Sequence, residues 1–174
     1  MNLTWQTATD WGRALLAAAG LSPEAAEAMV ETLVYAERRG FTSHGFIRLP
    51  TYAPRIRAGG INGHAQVHVV SERAGLAIVD ADRAAGAFSA VTCVDLALAK
   101  AATAGAAVVI ARNANHFGAA GYYTDRMAAA GFLGIALANS DAIMCAPFGG
   151  RAVLGSNPIA IAVPAVSLAI GAAR

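Results

Sequence analysis

The sequence predicts an α/β fold in which N-terminal helices are followed by a mixed sheet with helical crossovers. Helix start and stop signals mark the first part of the chain, up to about residue 57. Short apolar runs typical of strands begin at Val67. After residue 85, helical and strand patterns alternate, which favours at least one parallel strand pair. We therefore divide the chain into a helical region at residues 1–63, an α/β region at 64–164 and a separate tail at 165–174.

Three helices are predicted in the helical region, because a capping residue or a proline precedes each apolar-periodic stretch and glycines follow it. The inner face of the third helix carries Tyr52 and Ile56, and we expect Tyr52 to serve packing. The start and stop signals are Thr9 or Asp10 with Gly20, Ser22-Pro23 with Gly40, and Pro50 with the glycine-rich stretch 59–63.

The α/β region contains a strand-helix-strand pattern at residues 108–138, which predicts two neighbouring parallel strands joined by a right-handed crossover. Ligands of open α/β sheets bind at the edge where parallel strands end. We therefore expect the polar residues that follow the two strands to gather at one edge. These residues are Asn113, Asn115, His116, Asn139 and Ser140. The other elements predicted here are strands at 67–70, 76–79 and 159–163 and a helix at 88–103.

A glycine-containing segment, Gly118-Ala119-Ala120-Gly121, precedes the helix of this unit. Free backbone N–H groups at such a helix start suit an anion, for example a carboxylate or a phosphate. The G-x-G-x-x-G fingerprint is absent from the sequence, so the standard dinucleotide-binding fold is not supported.

Composition narrows the classes of function. A chain of 174 residues can bury one core, and its net charge of +2 with scattered arginines does not favour nucleic-acid binding. No purely apolar run of about 18 residues is present, so we expect no membrane span. No signal peptide is recognisable. Cys93 and Cys145 lack metal-ligand spacing, so we expect no metal site and a reducing, cytoplasmic location.

Three motifs occur in order: Ser43-His44-Gly45-Phe46-Ile47-Arg48; Asn115-His116-Phe117-Gly118-Ala119-Ala120-Gly121-Tyr122-Tyr123; and a stretch from Asn139-Ser140-Asp141 to Gly155-Ser156-Asn157-Pro158. Together they resemble the N-terminal half of the malate/L-lactate dehydrogenase type 2 family, over roughly residues 5–164. The resemblance implies a non-Rossmann NAD(P)-dependent oxidoreductase fold, a homodimer and a small carboxylate substrate. It implies NAD or NADP as the cofactor without distinguishing them.

The resemblance also implies roles for individual residues. His44 corresponds to a proton donor to the substrate oxygen, Ser43 orients it, and Arg48 holds the substrate carboxylate. His116 corresponds to a second active-site histidine near the nicotinamide. Cofactor contacts are implied for Asn115, Asn139 and Ser140. The residue types suit the chemistry, because an imidazole exchanges protons near neutral pH and a guanidinium binds a carboxylate through two hydrogen bonds.

The tail at 165–174 does not follow the family pattern, and the family's members run to about twice this length. We therefore expect an apparently truncated chain with an unpaired sheet edge and little dehydrogenase activity of its own. A non-catalytic remnant that serves binding or oligomerisation is the alternative function. A third possibility, an unrelated anion-binding module, predicts that residues 43–48 lie far from residues 113–116.

Overall fold

The computed structural model describes residues 4–165, and only Ala165 of the predicted tail lies within this range. Five α-helices and two short 3₁₀ turns are found there. The helices are α1 (Trp5–Ala19), α2 (Pro23–Arg38), α3 (Leu49–Arg57), α4 (Gly86–Ala104) and α5 (Ala120–Ala129). The 3₁₀ turns, Thr42–His44 and Phe46–Arg48, connect α2 to α3.

Seven strands form three small sheets in the described part of the chain. The strands are β1 (His68–Arg73), β2 (Leu76–Asp80), β3 (Val108–Arg112), β4 (Gly134–Leu137), β5 (Met144–Cys145), β6 (Ala152–Leu154) and β7 (Ile159–Ala162). The first sheet has the order β1-β2-β3, with an antiparallel β1–β2 hairpin and a parallel β2–β3 pair joined through α4. The predicted α/β class and the prediction of at least one parallel strand pair are thereby confirmed.

The predicted partnership within residues 108–138 is wrong. Strand β3 is hydrogen-bonded to β2, whereas β4 lies in a different sheet and pairs antiparallel with β7, with Ile135 opposite Ile161. The polar residues after β3 and β4 therefore do not follow neighbouring strands of one sheet. Apolar runs identify strands but carry no information about which strand each one pairs with. The short β5–β6 pair was not predicted at all.

Helix α1 starts earlier than predicted. Thr4 is its N-cap, because the Thr4 hydroxyl accepts a hydrogen bond from the Thr7 N–H at 3.1 Å. Thr9 cannot serve as the cap, since its hydroxyl donates to the Trp5 carbonyl inside the helix at 2.7 Å. The predicted start of α2 at Ser22 and Pro23 is confirmed, and the Ser22 hydroxyl caps the Ala25 N–H.

The main hydrophobic cluster joins α1, α2, α3 and the start of α4. Its most completely buried side chains are Leu16, Val30 and Leu33. A second cluster, around Val94 and Tyr123, packs α4 against α5. The two clusters hold the turns after α2 and the loop after β3 in place.

Helix α4 is long and apolar enough to cross a membrane by length and composition, with a mean hydropathy of 1.4. The absence of a membrane span was predicted from the sequence and stays a prediction. In the structure this helix packs on α2, α5 and β3. Its Asp95 and Lys100 form ion pairs with Arg126 and Glu72.

The sheets leave apolar side chains exposed on one face. In the first sheet, Leu76 and Ile78 are exposed beside Val108 and Ile110 of the paired strand. In the second sheet, Ile135, Leu137, Ile159 and Ile161 are exposed in the same way. Contiguous apolar surface of this kind is typical of a surface that another polypeptide covers.

Candidate active site

The first part of the site is the pair of 3₁₀ turns between α2 and α3. The His44 N–H donates to the Phe41 carbonyl at 2.8 Å, and the Arg48 N–H donates to the Gly45 carbonyl at 3.0 Å. The Ser43 hydroxyl lies 2.9 Å from Nδ1 of His44. The tight turns thus hold Ser43, His44 and Arg48 on one short segment, and Ser43 contacts the ring that it was predicted to orient.

The second part is the loop that carries His116 from β3 into α5. The Asn115 side-chain amide donates to three backbone carbonyls, those of Gly60, Arg83 and Ala84. On the other side of the histidine, the Phe117 carbonyl accepts a hydrogen bond from the Tyr123 hydroxyl. The backbone on both sides of His116 is therefore fixed to the rest of the fold.

The two segments bring His44 and His116 side by side. Their ring centroids are 5.7 Å apart and the ring planes are inclined by 26°. The predicted proximity of the two histidine side chains is confirmed by this geometry, although they lie 72 positions apart in the chain. The geometry also argues against the unrelated anion-binding module, which required the two loops to be far apart.

Tyr52 is the site residue that the sequence reasoning missed. Its hydroxyl lies 2.7 Å from Nδ1 of His116, and its side chain is buried. It was predicted to serve packing, and its ring does so on the inner face of α3. The available signal was its position one helical turn after Arg48, together with the need of a buried tyrosine hydroxyl for a partner.

The environment of the pair favours uncharged imidazoles. Burial, and then the positive charge of Arg48, lower the pKa of His44. His116 is exposed to solvent as a whole residue. Partial burial of its imidazole, followed by the charges of Arg48, His44 and Arg55, lowers the pKa of His116 to about 4. Both rings are therefore neutral at pH 7 and can accept a proton.

Arg48 is oriented toward the site by its own turn. Its Nε donates to the backbone carbonyl of Ser43, and no ion pair to Arg48 is found among the described residues. Its charge acts on both histidines. An arginine without a carboxylate partner, next to two neutral imidazoles, suits a small anionic ligand.

The residues with predicted cofactor contacts lie on two different loops, Asn115 after β3 and Asn139 and Ser140 after β4. The Asn115 amide nitrogen is engaged within the fold, as described above. The Ser140 hydroxyl accepts a hydrogen bond from the Ser156 N–H at 2.9 Å, and the Asn157 side chain accepts one from the Ser140 N–H at 3.0 Å. Asn139 is exposed. The structure thus brings Ser43, His44, Arg48 and His116 together and leaves Asn139 and Ser140 on a different loop.

The fold and the site define an α/β protein in which two loops bring a pair of imidazoles together beside an arginine. The family model described as malate/L-lactate dehydrogenase matches residues 3–170, and the chain belongs to this family. A malate dehydrogenase of Pyrococcus horikoshii is 41% identical over 146 residues, which are 83% of this chain and 40% of that protein. A ureidoglycolate dehydrogenase (NAD(+)) of Escherichia coli is 41% identical over 150 residues, 86% of this chain and 43% of that protein.

The solved structures agree with the sequence relatives. The malate dehydrogenase structure from Pyrococcus horikoshii OT3 superposes with a TM-score of 0.90 at 35% identity, covering 94% of this chain and 47% of that one. A sulfolactate dehydrogenase from Methanocaldococcus jannaschii gives a TM-score of 0.88 at 37% identity, with 94% and 47% coverage. The chain therefore has the fold of this family and spans less than half the length of the relatives that it matches.

Proposed function

We propose that the histidine pair is the acid–base part of a nicotinamide-dependent oxidoreductase site for a small 2-hydroxy or 2-keto acid. The observation that supports this proposal best is the stacking of His44 and His116 beside Arg48. Relatives of the chain are named as malate, sulfolactate and ureidoglycolate dehydrogenases, which supports the same class of substrate.

The roles follow from the hydrogen bonds. Nδ1 of His44 is engaged by Ser43 and Nδ1 of His116 by Tyr52, which leaves Nε2 of each ring for a ligand. When a 2-hydroxy acid is oxidised, its carbon loses a hydride and its hydroxyl loses a proton. A neutral imidazole accepts that proton, and in the reverse direction the imidazolium returns it.

Arg48 has two effects in this proposal. It binds the substrate carboxylate, and while it is unpaired its charge adds to the effect of burial in keeping the histidines uncharged. A bound carboxylate offsets this charge, so the basicity of both imidazoles rises when substrate is present. The ligand thereby makes its own proton acceptor stronger.

A nicotinamide cofactor, NAD or NADP, supplies the hydride acceptor in this proposal. The described residues do not fit a complete dinucleotide cradle, because the amide of Asn115 and the hydroxyl of Ser140 are engaged in contacts within the chain. The cofactor proposal therefore rests on the family to which the chain belongs. The cytoplasmic location and the homodimer likewise stay predictions.

The experiment is a titration of the isotope-labelled chain with oxamate, an unreactive analogue of a 2-keto acid, followed through the imidazole NMR signals of His44 and His116. We expect both signals to shift, Arg48→Gln to abolish the shift, and Arg57→Gln to preserve it. Arg57 is the matched control, because it lies on the flank of α3 that faces Trp11. An unchanged response in Arg48→Gln contradicts the proposed carboxylate site.

Oxidation of NADH and NADPH with a panel of 2-keto acids tests the full reaction. Turnover that disappears in His44→Ala would place a sufficient active site within this chain, against our expectation of little activity.

A non-catalytic binding or oligomerisation module is the second candidate, and the exposed apolar faces of two sheets favour it. It predicts concentration-dependent self-association without an oxamate response.

A further inference from the structure

A carboxylate from α2 anchors the segment that carries His44. Glu37, in the last turn of α2, accepts a hydrogen bond from the Phe46 N–H at 2.9 Å through Oε1. This N–H begins the second 3₁₀ turn, which ends at Arg48. Short 3₁₀ turns have poor internal hydrogen-bond geometry, so an external partner contributes strongly to their conformation.

Gly45 makes room for this carboxylate. A Cβ atom at residue 45 would overlap the Glu37 side chain at its Cγ, Cδ and Oε1 atoms. The backbone of Gly45, with φ of −89° and ψ of −151°, does not lie in the left-handed region that favours glycine. The requirement for glycine at this position is therefore one of space, and the Glu37 side chain occupies that space.

We propose that Glu37 is the positioning residue for His44 and Arg48, and that Gly45 is glycine in order to admit its carboxylate. The inference rests on the proposed function, since positioning matters only where these residues act on a ligand. Glu37 acts through the backbone, because its hydrogen bond is to the Phe46 amide and its charge is not among the influences on His44.

The test compares Glu37→Ala and Glu37→Gln by NMR of the imidazole rings in the full chain. In Glu37→Ala we expect the His44–His116 ring contact to weaken and the pKa of His44 to rise toward 6.5, because burial and the nearby Arg48 are both partly lost. Glu37→Gln retains an oxygen acceptor at the same reach and should restore both properties.

Glu31→Ala is the matched control on the same helix. Glu31 accepts a hydrogen bond from Tyr122 at 2.6 Å and faces α5, so its loss removes a contact of similar kind without touching the His44 segment. The proposal is overturned if Glu37→Ala leaves the His44 signals unchanged, or if Glu31→Ala alters them equally. If Glu37→Ala does not fold, Glu37→Asp replaces it; that variant keeps the charge but loses the reach, and it should disturb His44 where Glu37→Gln does not.

A double-mutant cycle provides an independent measurement. Gly45→Ala alone should displace the His44 signals, whereas the same change added to Glu37→Ala should have a much smaller effect, because the overlapping atoms are gone. Equal effects in the two backgrounds would refute the coupling. Failure of the proposed function can be distinguished from failure of this proposal. If the chain does not respond to oxamate, the ring contact and the pKa of His44 can still be measured in each Glu37 variant.

Discussion

Acidification should destabilise the chain through His116. The pKa of this residue is about 4 in the folded protein, against about 6.5 in an unfolded chain. Below pH 6.5 the unfolded state therefore binds more protons, and stability falls as the pH falls from 6.5 toward 4. Above pH 6.5 both states are neutral at this residue and its contribution vanishes.

The magnitude follows from the size of the shift. A full difference of about 2.5 pKa units corresponds to roughly 3 kcal/mol. Because His116 is an exposed residue, screening by solvent reduces the expected effect to about 1–2 kcal/mol between pH 7 and pH 4.5. His44 acts in the same direction, since its pKa is also lowered.

Urea unfolding at pH 7 and pH 4.5 measures this effect in the wild type, in His116→Gln and in the control His64→Gln. His64 is exposed and lies outside the site. We expect His116→Gln to lose about 1–2 kcal/mol less stability on acidification than the wild type does. The carboxylates titrate in every variant, so the difference isolates His116. Equal losses in the wild type and His116→Gln would refute the assignment of a depressed pKa to His116.

Two further predictions concern the surroundings of the histidine pair. Arg48→Gln should raise the pKa of both histidines, Arg55→Gln that of His116 alone, and Arg57→Gln neither, which an NMR titration of the three variants checks. Gly86→Ala should destabilise the chain by about 1–3 kcal/mol in urea unfolding, because a Cβ there meets the Asn115 and His116 carbonyls, whereas Gly150→Ala should not, since it has open space around it.

Local signals predict the start of α2 at Ser22 and Pro23, because capping depends on neighbours in sequence. The stretch from Ser43 to Arg48 is identified through the family resemblance, since local chemistry predicts only a polar loop where the structure has two 3₁₀ turns. The proximity of His44 and His116 was inferred through family resemblance. No local pattern relates two residues 72 positions apart.

The sequence does not determine contacts between segments that are distant in the chain. The partners of β3 and β4 depend on which strand edges remain accessible for hydrogen bonding once the helices have packed. The apolar runs of β3 and β4 contain no information about this choice. Tyr52 is predicted to be a packing residue from its position on the inner face of α3, and its ring does pack there. Its second contact, through the hydroxyl, depends on a loop that follows 64 positions later.

The parts of the structure that hold the histidine pair differ from those that hold the predicted cofactor contacts. The loop at His116 is held by Tyr52 of the main hydrophobic cluster and by Tyr123 of the second cluster. The Asn115 amide also connects this loop to the backbone of Arg83 and Ala84. Ser140 instead lies on an exposed loop beside strands whose apolar side chains face solvent.

The geometry of the histidine pair and the binding of a cofactor can therefore be measured in separate experiments. The pKa values of the histidines and their response to oxamate depend on contacts that this chain already makes, whereas hydride transfer also requires a nicotinamide held at bonding distance. An oxamate response without turnover is the result that this division of the fold predicts.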